Sequence, residues 1–142
     1  PLGSFFLRES KCEHIVFLAT GTGIAPIKSI LESVIKQPSN ISKKEFWVFV
    51  GARLKEDLLW SPDLINEKIK INYIPVLSRQ TEDWNGEKGY VQDSVLRQNI
   101  DLENAQVYAC GSNEMIQSAK KLLFKNSLNE NSFFSDAFVS TN

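Results

Sequence analysis

The stretch Ile15-Val16-Phe17-Leu18-Ala19-Thr20-Gly21-Thr22-Gly23-Ile24-Ala25-Pro26 decides the fold of this chain. It opens with a continuous apolar run, the pattern of a strand buried on both faces. Two glycines break the run, and Pro26 follows, a residue favoured in the first turn of a helix. Behind it Ile27, Ile30, Leu31, Val34 and Ile35 recur at helical spacing along one face. The stretch therefore reads strand, glycine turn, helix. Such a turn offers free backbone N–H groups and a helix N-terminus to an anion, with no side chain in the way.

Three phosphate-binding patterns can be tested on it. A P-loop needs Gly directly before Lys-Ser, but Ile27 precedes Lys28-Ser29, and Thr22 stands where the first Gly belongs. The dinucleotide fingerprint wants a third Gly where this chain has Pro26. It also wants a carboxylate after the second strand, where Gly51-Ala52-Arg53 stands instead. The third pattern is the run Thr-Gly-Thr-Gly-Ile-Ala-Pro itself. A turn that merely joins strand to helix is the plain alternative.

Outward from this stretch, 142 residues with 42% hydrophobic content suffice for one cored domain. A formal charge of −1 makes no electrostatic case for nucleic acid or an anionic membrane. No apolar run approaches the ~20 residues of a transmembrane helix, and no signal-peptide pattern precedes the first strand. Cys12 and Cys110 match no metal or cluster spacing, so a reduced, cytoplasmic setting is expected and no metal site. His14, just before the first strand, reads as a surface residue.

Further strands are expected at Phe46–Val50, Ile71–Leu77, Gln106–Cys110 and Phe133–Val139, with Pro75 suggesting an edge position for the second of these. Helices are expected from Ser61-Pro62-Asp63 to about Lys70, over Tyr90–Gln98, and after Ser112, a good cap. Gln80–Gly89 reads as a polar loop. The alternation argues for an α/β fold, a five-stranded parallel sheet flanked by helices on both faces.

Thr20-Gly21-Thr22-Gly23-Ile24-Ala25-Pro26, the Gly-x-Arg-x-x-x-Asp-Leu run from Gly51 to Leu58, Ser78-Arg79, Trp84-x-Gly-x-x-Gly-Tyr-Val and Cys110-Gly-x-x-x-Met115 occur in an order that resembles the nucleotide domain of the ferredoxin–NADP reductase superfamily. The ending Phe134-Ser135-Asp136-Ala137-Phe138 is similar to that of oxygenase-type and CDP-6-deoxy-Δ3,4-glucoseen reductases. The resemblance implies a ferredoxin reductase-like, NAD-linked domain over residues 11–142. Residues 1–10 then look like the tail of a flavin-binding barrel or a linker, although Pro1-Leu2-Gly3-Ser4 alone also fits a cleaved tag remnant.

On this resemblance the chain is the nicotinamide-binding half of a flavin-dependent electron-transfer reductase. NADH or NADPH would pass hydride to FAD, held mostly by a barrel domain of the same protein. Electrons would go on to a ferredoxin-type iron–sulfur domain or protein carrying [2Fe-2S]. Gly21, Thr22 and Gly23 would cradle the pyrophosphate, and Pro26 and Gly111 would also belong to the cofactor-binding site. Arg53 would reach a phosphate or stack on adenine, Ser78 and Arg79 would mark the adenosine end, and Thr20 and Cys110 would flank the reacting ring. Asp136 and Phe138 would complete the flavin side. The segment by itself is expected to bind dinucleotide weakly and not to turn over. NADH is favoured, because Glu82, Asp83 and Glu87 share the loop after Arg79 and would repel a 2′-phosphate. Cys110 can also be read as an ordinary core residue, Arg53 as a surface arginine, and the whole chain as a non-catalytic nucleotide-binding or regulatory module.

Overall fold

The structure, a computed structural model, describes residues 5–36, 44–58, 60–62, 69–80 and 82–137. The apolar run forms strand β1 (His14–Thr20), whose residues Ile15 to Ala19 have no exposed surface. One turn of 3₁₀ helix (Gly21–Gly23) leads into helix α1 (Ile24–Lys36). Then come β2 (Glu45–Ala52), β3 (Ile71–Leu77), β4 (Glu87–Lys88), α2 (Val91–Arg97), β5 (Ala105–Gly111), α3 (Asn113–Lys125) and β6 (Phe133–Ala137). The helix expected to open at Ser61 and the final residues from Phe138 onward lie wholly or mostly outside the described residues.

The strands make one sheet in the order β4-β3-β2-β1-β5-β6, and every pairing is parallel. Among the described residues the sheet has six strands, not five. The addition is β4, two residues that pair Glu87 and Lys88 with Val76 and Leu77. A Glu-Lys pair carries no alternating apolar signal, so it reads as loop until its neighbour is known. β4 pairs only with Val76 and Leu77 at the end of β3, so Pro75 lies outside the stretch that it covers.

Side-chain alternation gives the sheet two cores. Ile15, Phe17, Ala19, Phe46, Val48, Tyr108 and Cys110 meet α1 through Ile27, Ile30, Leu31 and Val34. On the other face Val16, Leu18, Phe49, Val76, Val107 and Ala109 meet Val91 and Val95 of α2 and Met115, Ile116, Ala119 and Leu123 of α3. Burying each Val, Leu, Ile, Phe or Met side chain among these is worth about 1.5–3 kcal/mol, so β1, covered on both sides, anchors the fold. Ser112 caps α3 as expected, its hydroxyl accepting from the Met115 N–H at 3.2 Å. His14 is half-buried, contrary to its surface reading, because β1 begins with it and Nδ1 lies 3.9 Å from the Glu45 carboxylate.

Residues Phe5 to Glu13 cross the α1 face as a strap. Phe5 is buried against the edge of Tyr108, and Lys44 donates to the carbonyls of Ser10 and Cys12 at 2.9 and 2.6 Å. Among the described residues no helix is long and apolar enough to cross a membrane, and no group of His, Cys, Asp and Glu could hold a metal ion.

Candidate nucleotide site

The chain order reverses at β1. From it the chain moves outward to β2 and β3 on one side, and β5 and β6 lie on the other. In open parallel sheets the crevice beyond the strand ends at such a switch point is where ligands bind. Here that crevice holds the glycine turn.

Three glycines are required there for different reasons. Gly21 has φ +56°, and a Cβ would meet nothing within 4 Å, so conformation alone demands glycine and the space beside it is open. A Cβ on Gly23 would lie 2.0 Å from the Cys110 carbonyl oxygen, because the turn rests directly on the β5 backbone. A Cβ on Gly111 would lie 2.1 Å from Thr20 Oγ1. Thr20, Gly23, Cys110 and Gly111, distant in sequence, thus form one packed knot.

Thr20 turns its hydroxyl toward Gly111 and its methyl toward Gly51. Its Oγ1 is buried and has no hydrogen-bond partner among the described residues, a condition that costs about 1–3 kcal/mol unless something supplies one. By strand alternation Thr20 shares a face with Val16 and Leu18, and Cys110 shares the opposite face with Tyr108. What these two residues have in common is the sheet edge.

Cys110 has no exposed surface, and its thiol is pushed up to about 12, first by burial and then by the Asp136 carboxylate. At neutral pH it is a thiol and cannot serve as a thiolate nucleophile. Asp136 is its register partner on β6, half-buried, and Ala137 pairs with Gly111. Phe138 falls outside the described residues. Thr22 is exposed, Pro26 is half-buried as the third residue of α1, and that helix has no acidic residue in its first turn.

On the other side, backbone bonds run past the strand ends. Ser78 N–H donates to the Ala52 carbonyl and Arg79 N–H to the Arg53 carbonyl, both at 2.9 Å. Arg53 and Arg79 therefore lie on adjacent strand ends, both exposed. With strands ~4.8 Å apart, they sit about 5 and 10 Å to one side of β1, and Cys110 and Asp136 sit about 5 and 10 Å to the other. The sequence-derived residues described here fall along one edge.

The acidic loop after Arg79 is smaller than its sequence suggests. Glu87 turns toward α2, accepting from the Ser94 hydroxyl and from Arg97 Nε, both at 2.7 Å. These contacts hold its carboxyl below the usual range, the Ser94 bond contributing most and burial opposing. Glu82 and Asp83 remain exposed. Sequence reading also missed the strap: Arg8 N–H donates to the Tyr108 hydroxyl at 2.8 Å across 100 residues, and no local pattern announces it.

Open backbone at Gly21, an uncompensated hydroxyl on Thr20 and two exposed guanidinium groups along the same edge fit an anionic dinucleotide. The family model described as oxidoreductase NAD-binding domain matches residues 17–121. Protein RfbI of Salmonella typhimurium is 37% identical over 148 residues, covering 100% of this chain and 42% of its own length. The CDP-6-deoxy-L-threo-D-glycero-4-hexulose-3-dehydrase reductase of Yersinia pestis is 40% identical over 142 residues, covering 98% of this chain and 42% of its own. The chain thus spans about two fifths of the length of these curated relatives. The crystal structure of the Amycolatopsis cytochrome P450 reductase GcoB superposes with a TM-score of 0.80 over 94% of this chain and 40% of that one, at 21% identity, a likeness of fold. The chain belongs to the oxidoreductase NAD-binding domain family of the ferredoxin–NADP reductase superfamily.

Proposed function

We propose that this chain is the nicotinamide-binding half of a flavin-dependent electron-transfer reductase. The observation that carries the reading is the knot of Thr20, Gly23, Cys110 and Gly111 at the switch point, with open backbone at Gly21 beside it. Gly21, Thr22, Gly23 and the α1 N-terminus at Pro26 would receive the pyrophosphate, and Gly111 shapes the floor. Arg53, Ser78 and Arg79 would hold the adenosine of NADH, or of NADPH. Thr20 and Cys110 would border the nicotinamide, with Asp136 and Phe138 on the flavin side. Bound nicotinamide supplies a hydride and FAD accepts it. The residues of this chain bind, orient and shield; none of them is required as an acid or base.

The whole protein would include a flavin barrel and would pass electrons to an iron–sulfur centre, in a cytoplasmic setting. A relative named as a dehydrase reductase supports a deoxysugar dehydrase as one class of final partner, and an oxygenase is the other class. The test is stopped-flow reduction of FAD in the full-length protein by NADH and by NADPH. Rapid bleaching of the flavin is expected. Tight coenzyme binding without bleaching would leave a non-catalytic nucleotide-binding module. Gly21→Val is expected to weaken coenzyme binding in a folded protein, since its side chain would occupy the open space beside the turn.

A further inference from the structure

The strap is fastened to β6 through a side chain that the nucleotide site does not use. The Arg8 guanidinium lies 4.2 Å from the ring centroid of Phe134 and 4.4 Å from that of Phe6, and its Nη1 donates to the Phe6 carbonyl at 3.1 Å. Phe134 stacks on Tyr108 at 5.0 Å, and Tyr108 receives the Arg8 N–H. Phe134 is the register partner of Tyr108, just as Asp136, two residues on, is that of Cys110. Strap, β6 and the Cys110 edge are therefore one mechanical unit.

We propose that Arg8 is a positioning residue, holding the chain that precedes the strap in fixed relation to the Cys110–Asp136 edge. This rests on the proposed function, under which that preceding chain carries the flavin. A cation over an aromatic face attracts without a directional hydrogen bond, and Phe6 is 51% exposed, so the clamp holds at the surface without enclosing the strap. The Tyr108 hydroxyl accepts from the Arg8 backbone N–H, which any side chain would keep, and the Arg8 side chain bears on the same phenol.

The test compares Arg8→Ala and Arg8→Lys with the parent, full-length and loaded with FAD. Flavin reduction at saturating NADH or NADPH is read together with hydrogen exchange of the Ser135–Ala137 amides in coenzyme-free protein. Arg8→Ala is expected to slow flavin reduction roughly tenfold, within the ~100-fold that a 1 Å misplacement can cost. Coenzyme affinity and flavin content should stay unchanged, exchange in β6 should quicken, and Arg8→Lys should recover most of both losses. An unchanged rate, unchanged exchange, no recovery by lysine, or a loss that follows flavin content or coenzyme affinity overturns the proposal. A parent that reduces no flavin with either coenzyme overturns the functional reading instead, and this role of Arg8 with it.

Discussion

Gly21 and Gly23 stand two residues apart in one turn, yet replacing each by alanine should have different consequences. At Gly21 the added methyl meets nothing within 4 Å, and the cost is that of holding a Cβ at φ +56°. That is about 1–2 kcal/mol. At Gly23 the methyl would lie 2.0 Å from the Cys110 carbonyl oxygen and 2.6 Å from its carbon. Turn and β5 must separate by more than ~1 Å before ordinary contact returns. Both partners are backbone, so no rotamer change relieves the clash, and the cost belongs at the upper end of overpacking, ~3 kcal/mol. At roughly 3–4 °C per kcal/mol, Gly23→Ala should lower the melting temperature of this domain by ~10 °C and Gly21→Ala by about half that. Thermal unfolding followed by far-UV circular dichroism measures both, and calorimetric titration with NADH measures what remains of binding. Because the Gly23 displacement also moves Cys110, its variant should lose more affinity. Equal melting temperatures, or a Gly23→Ala protein as stable as the parent, would refute the claim that the turn rests on the β5 peptide.

Cys110 should resist a thiol reagent at pH 8 while Cys12, half-buried, reacts; two thiols should appear only after unfolding. The thiol is raised from its ordinary value of 9.0, so the folded state keeps a proton that the unfolded state loses, and stability should fall as pH rises from about 9 toward 12. Tyr108, raised by burial, adds to the same decline, and Cys110→Ala should remove only the cysteine share of it in pH-dependent urea melts. For coenzyme choice, kcat/KM in the full-length protein should favour NADH, Glu82 and Asp83 opposing a 2′-phosphate near Arg79. A tenfold preference for NADPH that Arg79→Ala abolishes would show that the guanidinium prevails. Ser112→Ala removes the α3 cap and should cost about 1 kcal/mol in urea melts, with coenzyme affinity unchanged.

Much of the fold could be read locally. The β1–turn–α1 unit is legible because a strand buried on both faces, a glycine pair and a 3.6-residue apolar period all lie within one short window. Ser112 as a cap and the apolar runs of the longer strands are of the same kind, since each depends on neighbours in sequence. The family resemblance likewise rests on short motifs in a fixed order. What the chain order cannot express is adjacency. The sheet order sets β5 beside β1, and from that alone follow the seat of Gly23 on Cys110 and the hydroxyl of Thr20 over Gly111. The same holds for β4, a charged dipeptide that becomes a strand only because Val76 and Leu77 of β3 lie beside it. Glu87 looked like part of an acidic loop until α2 brought Ser94 and Arg97 to it. Arg8 reaches Phe134 only once strap and β6 share a face. Local periodicity reports which way a residue faces, whereas its partner is chosen by long-range packing, and only the folded chain decides that.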